Sequence, residues 1–314
     1  SYFDFVLPGL FGLGLGTLDS GKHGGLARFG EFAGTGLLFY GPEVLAHEFG
    51  GHIGAARRFG LGGELTHFSW FSARISHASG SDEQERTIQG AGVGQQTLNA
   101  EATYTRIART GYFNPQDAWA YFLGQAGTGA YALRTLAIEH PPDYDDIHNY
   151  TDADRGYQGA IAAAGTVSAR PSLLALGWIG YEFTVNNRRY LEVPSLHLGS
   201  ARLAFPNLQT FLTSQGVVLG ASTVLSLGAD RPAFQFGLDV RPTTNFAADL
   251  SARAYGLRVP GSRIEVNPYV RVTGANRPGI FGGVELNLNP VPWLGISGPI
   301  EGGVNDLRSE WEGR

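Results

Sequence analysis

The chain has 314 residues, a formal net charge of −5 and no cysteine. Its length suits one large domain or two ordinary ones, and its acidic balance argues against a nucleic-acid-binding protein. Only 16% of the residues are charged and 46 are glycine, so the composition departs from that of an average soluble protein. A thiol-free chain is compatible with an oxidising envelope compartment. The absence of methionine, even at position 1, predicts a mature chain whose signal peptide has been removed.

No uninterrupted run of 18 apolar residues occurs in the chain, so the sequence offers no obvious transmembrane helix. A membrane, if the protein enters one, is therefore predicted to be crossed by strands. Residues 1–20 are apolar and rich in glycine, which fits either a membrane-facing strand or a helix lying on a bilayer. Residues 21–36 are predicted to be a loop, and a helix is predicted from Pro42 to Gly60 because proline suits a first turn and glycine ends one.

His47, Glu48 and His52 lie on this predicted helix and carry the functional argument. Imidazole is a good zinc ligand, and a neighbouring carboxylate that stays off the metal is placed to accept a proton from water. Histidines five residues apart point in directions separated by roughly 140° in a regular helix. One extra residue in the turn, a π-bulge, would bring them to the same side. The pair Gly50-Gly51 between them is where we expect that bulge.

Two resemblances cover these residues. His47-Glu48-Phe49-Gly50-Gly51-His52 resembles the HExxGH motif of the dipeptidyl-peptidase III type of zinc peptidase. The longer run from His47 to Gly60 resembles the HExGHxxxARRFG stretch of site-2-protease-type metalloproteases, with one glycine added. Both resemblances imply that His47 and His52 bind Zn²⁺ and that Glu48 is the general base. The shared stretch is short, so it implies a zincin-like site and not a whole fold.

Zinc requires a third protein ligand, and the sequence leaves its identity open. Glu101, on a helix predicted from Thr87 to Arg109, is the first choice because Asn-x-Glu after a glycine-rich stretch resembles the second motif of glutamate-liganded zinc peptidases. Site-2-type proteases take their third ligand from a downstream aspartate, which makes Asp145, Asp146 and His148 the alternatives. An exposed helix charge at Glu101 and a merely polar acidic loop are the corresponding non-functional interpretations.

A strand is predicted from Glu64 to Ile75, and in the families resembled such a strand pairs with the extended substrate. His67 and Arg74, on or near it, are our candidate substrate-binding residues. Further helices are predicted from Asp117 to Ile138 and from Tyr157 to Asn186, the second interrupted at Pro171.

The period of the sequence changes at about residue 190. Apolar and polar residues alternate strictly in four runs, which predicts antiparallel strands separated by turns. These runs are 234–241, 246–255, 263–272 and 280–289, and weaker ones lie at 190–198, 200–213, 216–228 and 293–304. In a soluble sandwich the apolar face of such strands forms the core. In an outer-membrane barrel it meets lipid, and the abundant glycine and the mixed charges on the polar face favour the barrel.

The sequence thus predicts an α+β protein. Residues 1–186 are predicted to form a helical metal-binding module with an apolar N-terminal segment, and 187–314 a membrane-embedded, antiparallel up-and-down β-barrel of about eight strands. The predicted function is an outer-membrane zinc metallohydrolase of the bacterial cell envelope. A peptide or protein is the expected substrate, although an acyl amide is open for a site beside a bilayer, and other envelope proteins are open as partners. The alternative is a non-catalytic barrel with a structural, transport or assembly role whose metal site is structural or vestigial.

Overall fold

The computed structural model describes residues 25–142, 145–214, 216–228, 231–242, 247–258, 264–274, 279–291, 294–305 and 310–313. The apolar segment 1–20 lies outside these residues. Within them the chain has a helical N-terminal part and an antiparallel sheet in its C-terminal part, as the sequence predicts. The change from helix to strand falls between Thr184 and Leu191.

The first helical element is longer than predicted. Helix α1 spans Gly25–Leu45, continues as a π-helix over Ala46–Ile53, and ends as α2, Gly54–Arg58. Pro42 therefore lies inside α1 and does not begin a helix. Residues 25–36 of the predicted loop are helical because Phe32 is buried against Trp119 and Phe183. Tertiary packing of this kind outweighs weak helix propensity.

The rest of the helical part follows a short hairpin. Strands β1, Glu64–Ser69, and β2, Ser72–Ser76, pair with each other, so the single strand predicted over 64–75 is a hairpin. The remaining elements of this part are α3, Asp82–Thr110; β3, Tyr112–Phe113; α4, Pro115–Ala137; α5, Asp146–Tyr150; and α6, Arg155–Thr184. Capping boxes begin α3 at Ser81 and α4 at Asn114, and each satisfies backbone N–H groups that a first turn leaves free.

The C-terminal part is one antiparallel sheet beside a small two-stranded pairing of β3 with β4, Leu191–Glu192. The strands that follow are β5, Ser195–Leu198; β6, Ala201–Ala204; β7, Asn207–Thr213; β8, Gly216–Ser226; β9, Ala233–Arg241; β10, Ala247–Tyr255; β11, Leu257–Arg258; β12, Ile264–Thr273; β13, Gly279–Val291; β14, Leu294–Asn305; and β15, Glu310–Gly313. The sheet order is β15-β14-β13-β12-β10-β9-β8-β6-β5, with β7 on β8 and β11 on β12. The four strictly alternating runs are thus neighbouring strands. Among the described residues the path is open, since β5 and β15 are its two ends.

Several strands of the sheet bury polar residues and expose large apolar ones, although Leu212, Val217, Val218 and Val224 are also buried. The exposed side chains are Leu219, Phe236, Leu238, Leu250, Val270, Val272, Ile280 and Leu286. The buried polar ones are Gln209, Ser222, Gln235, Asp249 and Asn267. Helix α3 packs on this polar face, where Thr97 donates to the carbonyl of Thr210. Between α3 and the sheet lies a cavity of about 900 Å³. A soluble antiparallel sheet has the reverse polarity, with its apolar face on the core.

Helix α6 differs from the expectation that the chain has no obvious transmembrane helix. Within the described part of the chain, it is long and apolar enough to cross a bilayer, judged by length and composition alone. One third of its most apolar window is buried inside the protein. A search for uninterrupted apolar runs misses it because Arg170, Pro171 and several glycines interrupt an otherwise apolar stretch.

Candidate metal centre

The π-helix brings the two histidines of the motif to one side, as the sequence predicts. It covers all of Ala46–Ile53 with no break from α1 or into α2. Hydrogen bonds to the fifth residue widen the turn, so side chains five positions apart lie one above the other. The rings of His47 and His52 consequently stand 4.7 Å apart, centroid to centroid, and edge to face.

Asp146 completes a group of three ligand atoms. The Nε2 atoms of His47 and His52 are 3.0 Å apart, and Oδ2 of Asp146 lies 3.2 Å from the first and 3.1 Å from the second. Tetrahedral zinc with bonds of about 2.0–2.1 Å separates its ligand atoms by about 3.3 Å. Two imidazoles and one carboxylate are a common zinc ligand set. These three side chains are therefore a possible metal-binding group whose ligand atoms have the spacing of a tetrahedral site.

A hydrogen bond from Nδ1 fixes the orientation of each histidine ring. Nδ1 of His47 donates to Oε1 of Gln96 at 3.2 Å, and Nδ1 of His52 donates to the carbonyl of Ile88 at 2.6 Å. In its neutral form, a ring with Nδ1 engaged in this way leaves Nε2 unprotonated and able to bind a metal. Hydrogen bonds of this kind typically support metal-binding histidines, because they select the tautomer and hold the ring plane.

Glycines allow α3 to come close enough to supply those partners. A Cβ on Gly51 of the π-helix would lie 2.5 Å from Cα of Gly92 on α3, so the two backbones touch. A Cβ on Gly92 would in turn lie 2.4 Å from Nε2 of His47 and 2.5 Å from Nε2 of His52. The glycine-rich start of α3 thus leaves the space that the imidazoles occupy.

The short helix α5 positions Asp146 at its first residue. Asp145 caps this helix, since its Oδ1 accepts hydrogen bonds from the backbone N–H of His148 and from the hydroxyl of Thr135. Ile147 and Tyr150 are buried and hold the helix against the rest of the protein. The Asp145 side chain, one of the alternatives for the third ligand, is therefore engaged in capping, and the neighbouring Asp146 faces the histidines; His148, the other alternative, is not part of the group.

The group is buried and its charges are coupled. Burial by itself lowers the pKa of His52, but the charge of Asp146 and its hydrogen bond outweigh this and raise the pKa to about 9. Burial also opposes ionisation of Asp146, yet the charge of His52 and hydrogen bonds from both histidines hold its pKa well below the usual range. Burial raises the pKa of Glu48, with His52 and His47 acting in the opposite direction. A carboxylate of raised pKa beside this group is suited to accept a proton.

The other predicted site residues lie apart from the three ligands. Glu101, our first choice for the third ligand, accepts a hydrogen bond from Gln235 of the sheet and lines the cavity beneath α3. His67 and Arg74 face each other across the β1–β2 hairpin and are exposed. That hairpin packs beside the π-helix.

Sequence reasoning did not identify Gln96, Gly92 or Tyr131 as parts of the site. The ring of Tyr131 lies 5.8 Å from that of His47, and burial raises the pKa of its phenol. A glycine-rich helix start signals close packing in general, but nothing in the sequence says which atoms it approaches. Comparisons with models of protein families, with curated proteins and with solved structures found no match to this chain. The geometry of the centre is therefore the basis for assigning it a function.

Proposed function

We propose that the protein is a zinc-dependent hydrolase of the bacterial cell envelope, with His47, His52 and Asp146 as the metal ligands. The supporting observation is the set of three ligand atoms within 3.2 Å of one another, two of them on imidazoles whose Nδ1 atoms are already hydrogen-bonded. This arrangement replaces Glu101 by Asp146 in the ligand set. Softer or harder divalent ions compete for such sites, but two nitrogens and one oxygen at tetrahedral spacing suit zinc best.

Glu48 is the general base of the proposed reaction. A zinc ion held at this centre would lower the pKa of a coordinated water and polarise a substrate carbonyl. Glu48 directly follows the ligand His47 and is electrostatically coupled to both histidines and to Asp146. Its raised pKa lets the carboxylate take a proton from the attacking water and later pass it to the leaving amine.

A peptide is the proposed substrate. The β1–β2 hairpin is a separate two-stranded sheet beside the π-helix, and no other described strand pairs with it. An extended peptide could therefore add to one of its edges. Strand addition of this kind holds a peptide by main-chain hydrogen bonds. His67 and Arg74, exposed across that hairpin, are placed to contact the peptide or a developing negative charge. An acyl amide is the other substrate that the same chemistry would cleave.

We further propose that the sheet is part of an outer-membrane β-barrel. Its long strands have 9 to 13 residues and expose leucine, valine, isoleucine and phenylalanine, while its polar residues face α3 and the cavity. Outer-membrane strands need about 9–11 residues and carry apolar side chains on the lipid face. The bilayer is then one partner of the protein, and other envelope proteins are further candidates.

The decisive test compares Glu48→Gln with the parent protein in detergent. Zinc content is measured by elemental analysis, and hydrolysis is followed with a library of fluorescence-quenched peptides and with a fluorogenic N-acyl amide. Glu48→Gln should keep one zinc and lose cleavage, because the amide cannot accept the proton. A His52→Ala variant should lose both. Equal cleavage by the Glu48→Gln variant would refute the assignment of the base.

A structural metal site is the second candidate function, and the burial of the group favours it. His47 and His52 are only 6% and 3% exposed, and a metal there would join the π-helix to α5 across 94 residues of sequence. The same measurements separate the two candidates. If the zinc-loaded parent cleaves no probe and chelation only lowers the melting temperature, the centre is structural.

A further inference from the structure

The outer face of α1 carries no exposed charge. Its exposed residues share small or apolar character: Gly25, Leu26, Ala27, Phe29, Gly30, Leu37 and Tyr40. The larger ones recur at intervals of three and four, or multiples of them, which places them on one side of the helix. Leu26 is 85% exposed, although leucine at such positions normally seeks a core. The one arginine of α1, Arg28, is turned inward, and its Nε donates to the carbonyl of Thr184.

Helix α6 extends this apolar surface. Phe32 of α1 packs against Phe183 and over Gly180 of α6, so the two helices lie side by side. Beyond Arg170 the exposed positions of α6 are again uncharged, namely Leu173, Leu174, Gly177, Trp178 and Tyr181. The only acid in that stretch, Glu182, is half-buried and lies 3.6 Å from Arg188.

The dimensions and composition of this surface match a bilayer. The stripe on α1 from Leu26 to Tyr40 is about 21 Å long at 1.5 Å per residue. The apolar band of an outer-membrane barrel is about 25 Å tall and is bordered by aromatic rings. Aromatic rings lie near both ends, since Tyr181 is within one turn of Thr184, which Arg28 contacts at the start of α1, and Tyr40 near the end of α1 contacts Phe71. Large continuous apolar patches are rare on proteins that meet only water.

We propose that the outer faces of α1 and α6 contact bilayer hydrocarbon, so that the lipid-facing surface includes the helical layer as well as the sheet. This inference extends the proposed membrane location and does not depend on the metal or on catalysis. It assigns the bilayer, and not a second copy of the chain, as what covers the two helices. The reason is that the exposed positions of α1, and those of α6 beyond Arg170, carry no ionised group, whereas protein interfaces ordinarily have a polar rim.

Single cysteine variants test the proposal directly, because the natural chain has no cysteine. Leu37→Cys and Leu174→Cys probe the two helices, and Leu238→Cys probes the exposed face of the sheet. Glu83→Cys, at an exposed position on α3, is the aqueous control. The variants are spin-labelled and reconstituted in vesicles of phosphatidylethanolamine and phosphatidylglycerol, and each label's accessibility to oxygen and to a water-soluble nickel chelate is measured.

We expect the oxygen-to-nickel accessibility ratio at Leu37 and Leu174 to equal that at Leu238 and to exceed that at Glu83 several-fold. If Leu238 is lipid-exposed but both helix positions are accessible to nickel, this inference is wrong while the proposed barrel stands. If all positions are accessible to nickel, the proposed membrane location fails as well. Helix positions shielded from both reagents would show a protein covering them, which also overturns the inference. Circular dichroism confirms that each variant is folded.

Discussion

Gly92→Ala should abolish the metal centre while leaving the fold in place. The new Cβ would lie 2.4 Å from Nε2 of His47 and 2.5 Å from Nε2 of His52, whereas ordinary contact begins at 3.4 Å. One or both rings must therefore move by about 1 Å, five times the roughly 0.2 Å tolerance of a metal–ligand distance. Moving α3 away from the π-helix would instead break the close backbone contact between Gly51 and Gly92. We expect zinc affinity to fall at least about 100-fold, which competition with a chromophoric chelator measures.

Gly94→Ala is the matched control for this experiment. Gly94 lies on the same helix two residues later, and a Cβ there would have no heavy atom within 4 Å. Alanine is favoured over glycine in a helix by about 1 kcal/mol, so this variant should be slightly more stable and bind zinc like the parent. Parent-like zinc affinity in Gly92→Ala would refute the arrangement of the imidazoles described above. A loss of zinc in both variants would instead show a general disturbance of α3.

The remaining predictions concern the ligands and their partners. Asp146→Asn should lower zinc affinity by orders of magnitude while Glu101→Gln leaves it unchanged, since only Asp146 is close to the histidines; chelator competition ranks the two. Gln96→Leu removes the acceptor of His47 and should weaken zinc binding about 10- to 100-fold without loss of stoichiometry. The pKa of His52 is about 9 in the metal-free protein, so zinc binding at pH 7.5 should release about one proton from that ring. Calorimetry in buffers of different ionisation enthalpy measures the number of protons released. If no proton is released, the pairing of protonated His52 with Asp146 is contradicted. Because this pKa is raised above the ordinary histidine value of 6.5, the contribution of the His52–Asp146 pair to metal-free stability is full below about pH 6.5 and is lost as the pH rises through 9.

Local sequence patterns were sufficient to predict the π-helix and the long strands. Histidines five residues apart can bind one metal ion only if the helical turn between them contains an extra residue. The structure has this wider turn, a π-helix that includes Gly50-Gly51. Strict alternation over ten residues likewise leaves little choice but a strand, and β9, β10, β12 and β13 fall where it occurs.

The third ligand could not be chosen from sequence because the choice depends on distant packing. Glu101 and Asp146 are both acids in plausible surroundings. Asp146 reaches the histidines only because α5 is capped by Asp145 and anchored by buried Ile147 and Tyr150. Glu101 is on the face of α3 that meets the sheet, and the register of α3 against Gln235 is a tertiary contact.

The start of α1 was missed for the same reason. A stretch such as Gly30 to Gly36 has poor helix propensity, and isolated helices of weak formers are marginal in water. Its helicity depends on the burial of Phe32 and on the indole of Trp119, whose Nε1 donates to the carbonyl of Phe32. These partners lie more than 80 residues away in sequence.

The uninterrupted run of α1, the π-helix and α2 has a mechanical consequence. No loop separates the apolar stripe from the histidines, so any change in the tilt of α1 also turns the rings of His47 and His52. Asp146 lies on a different element and does not follow that movement. In the proposed membrane location, the thickness of the bilayer would therefore adjust how well the three ligand atoms converge.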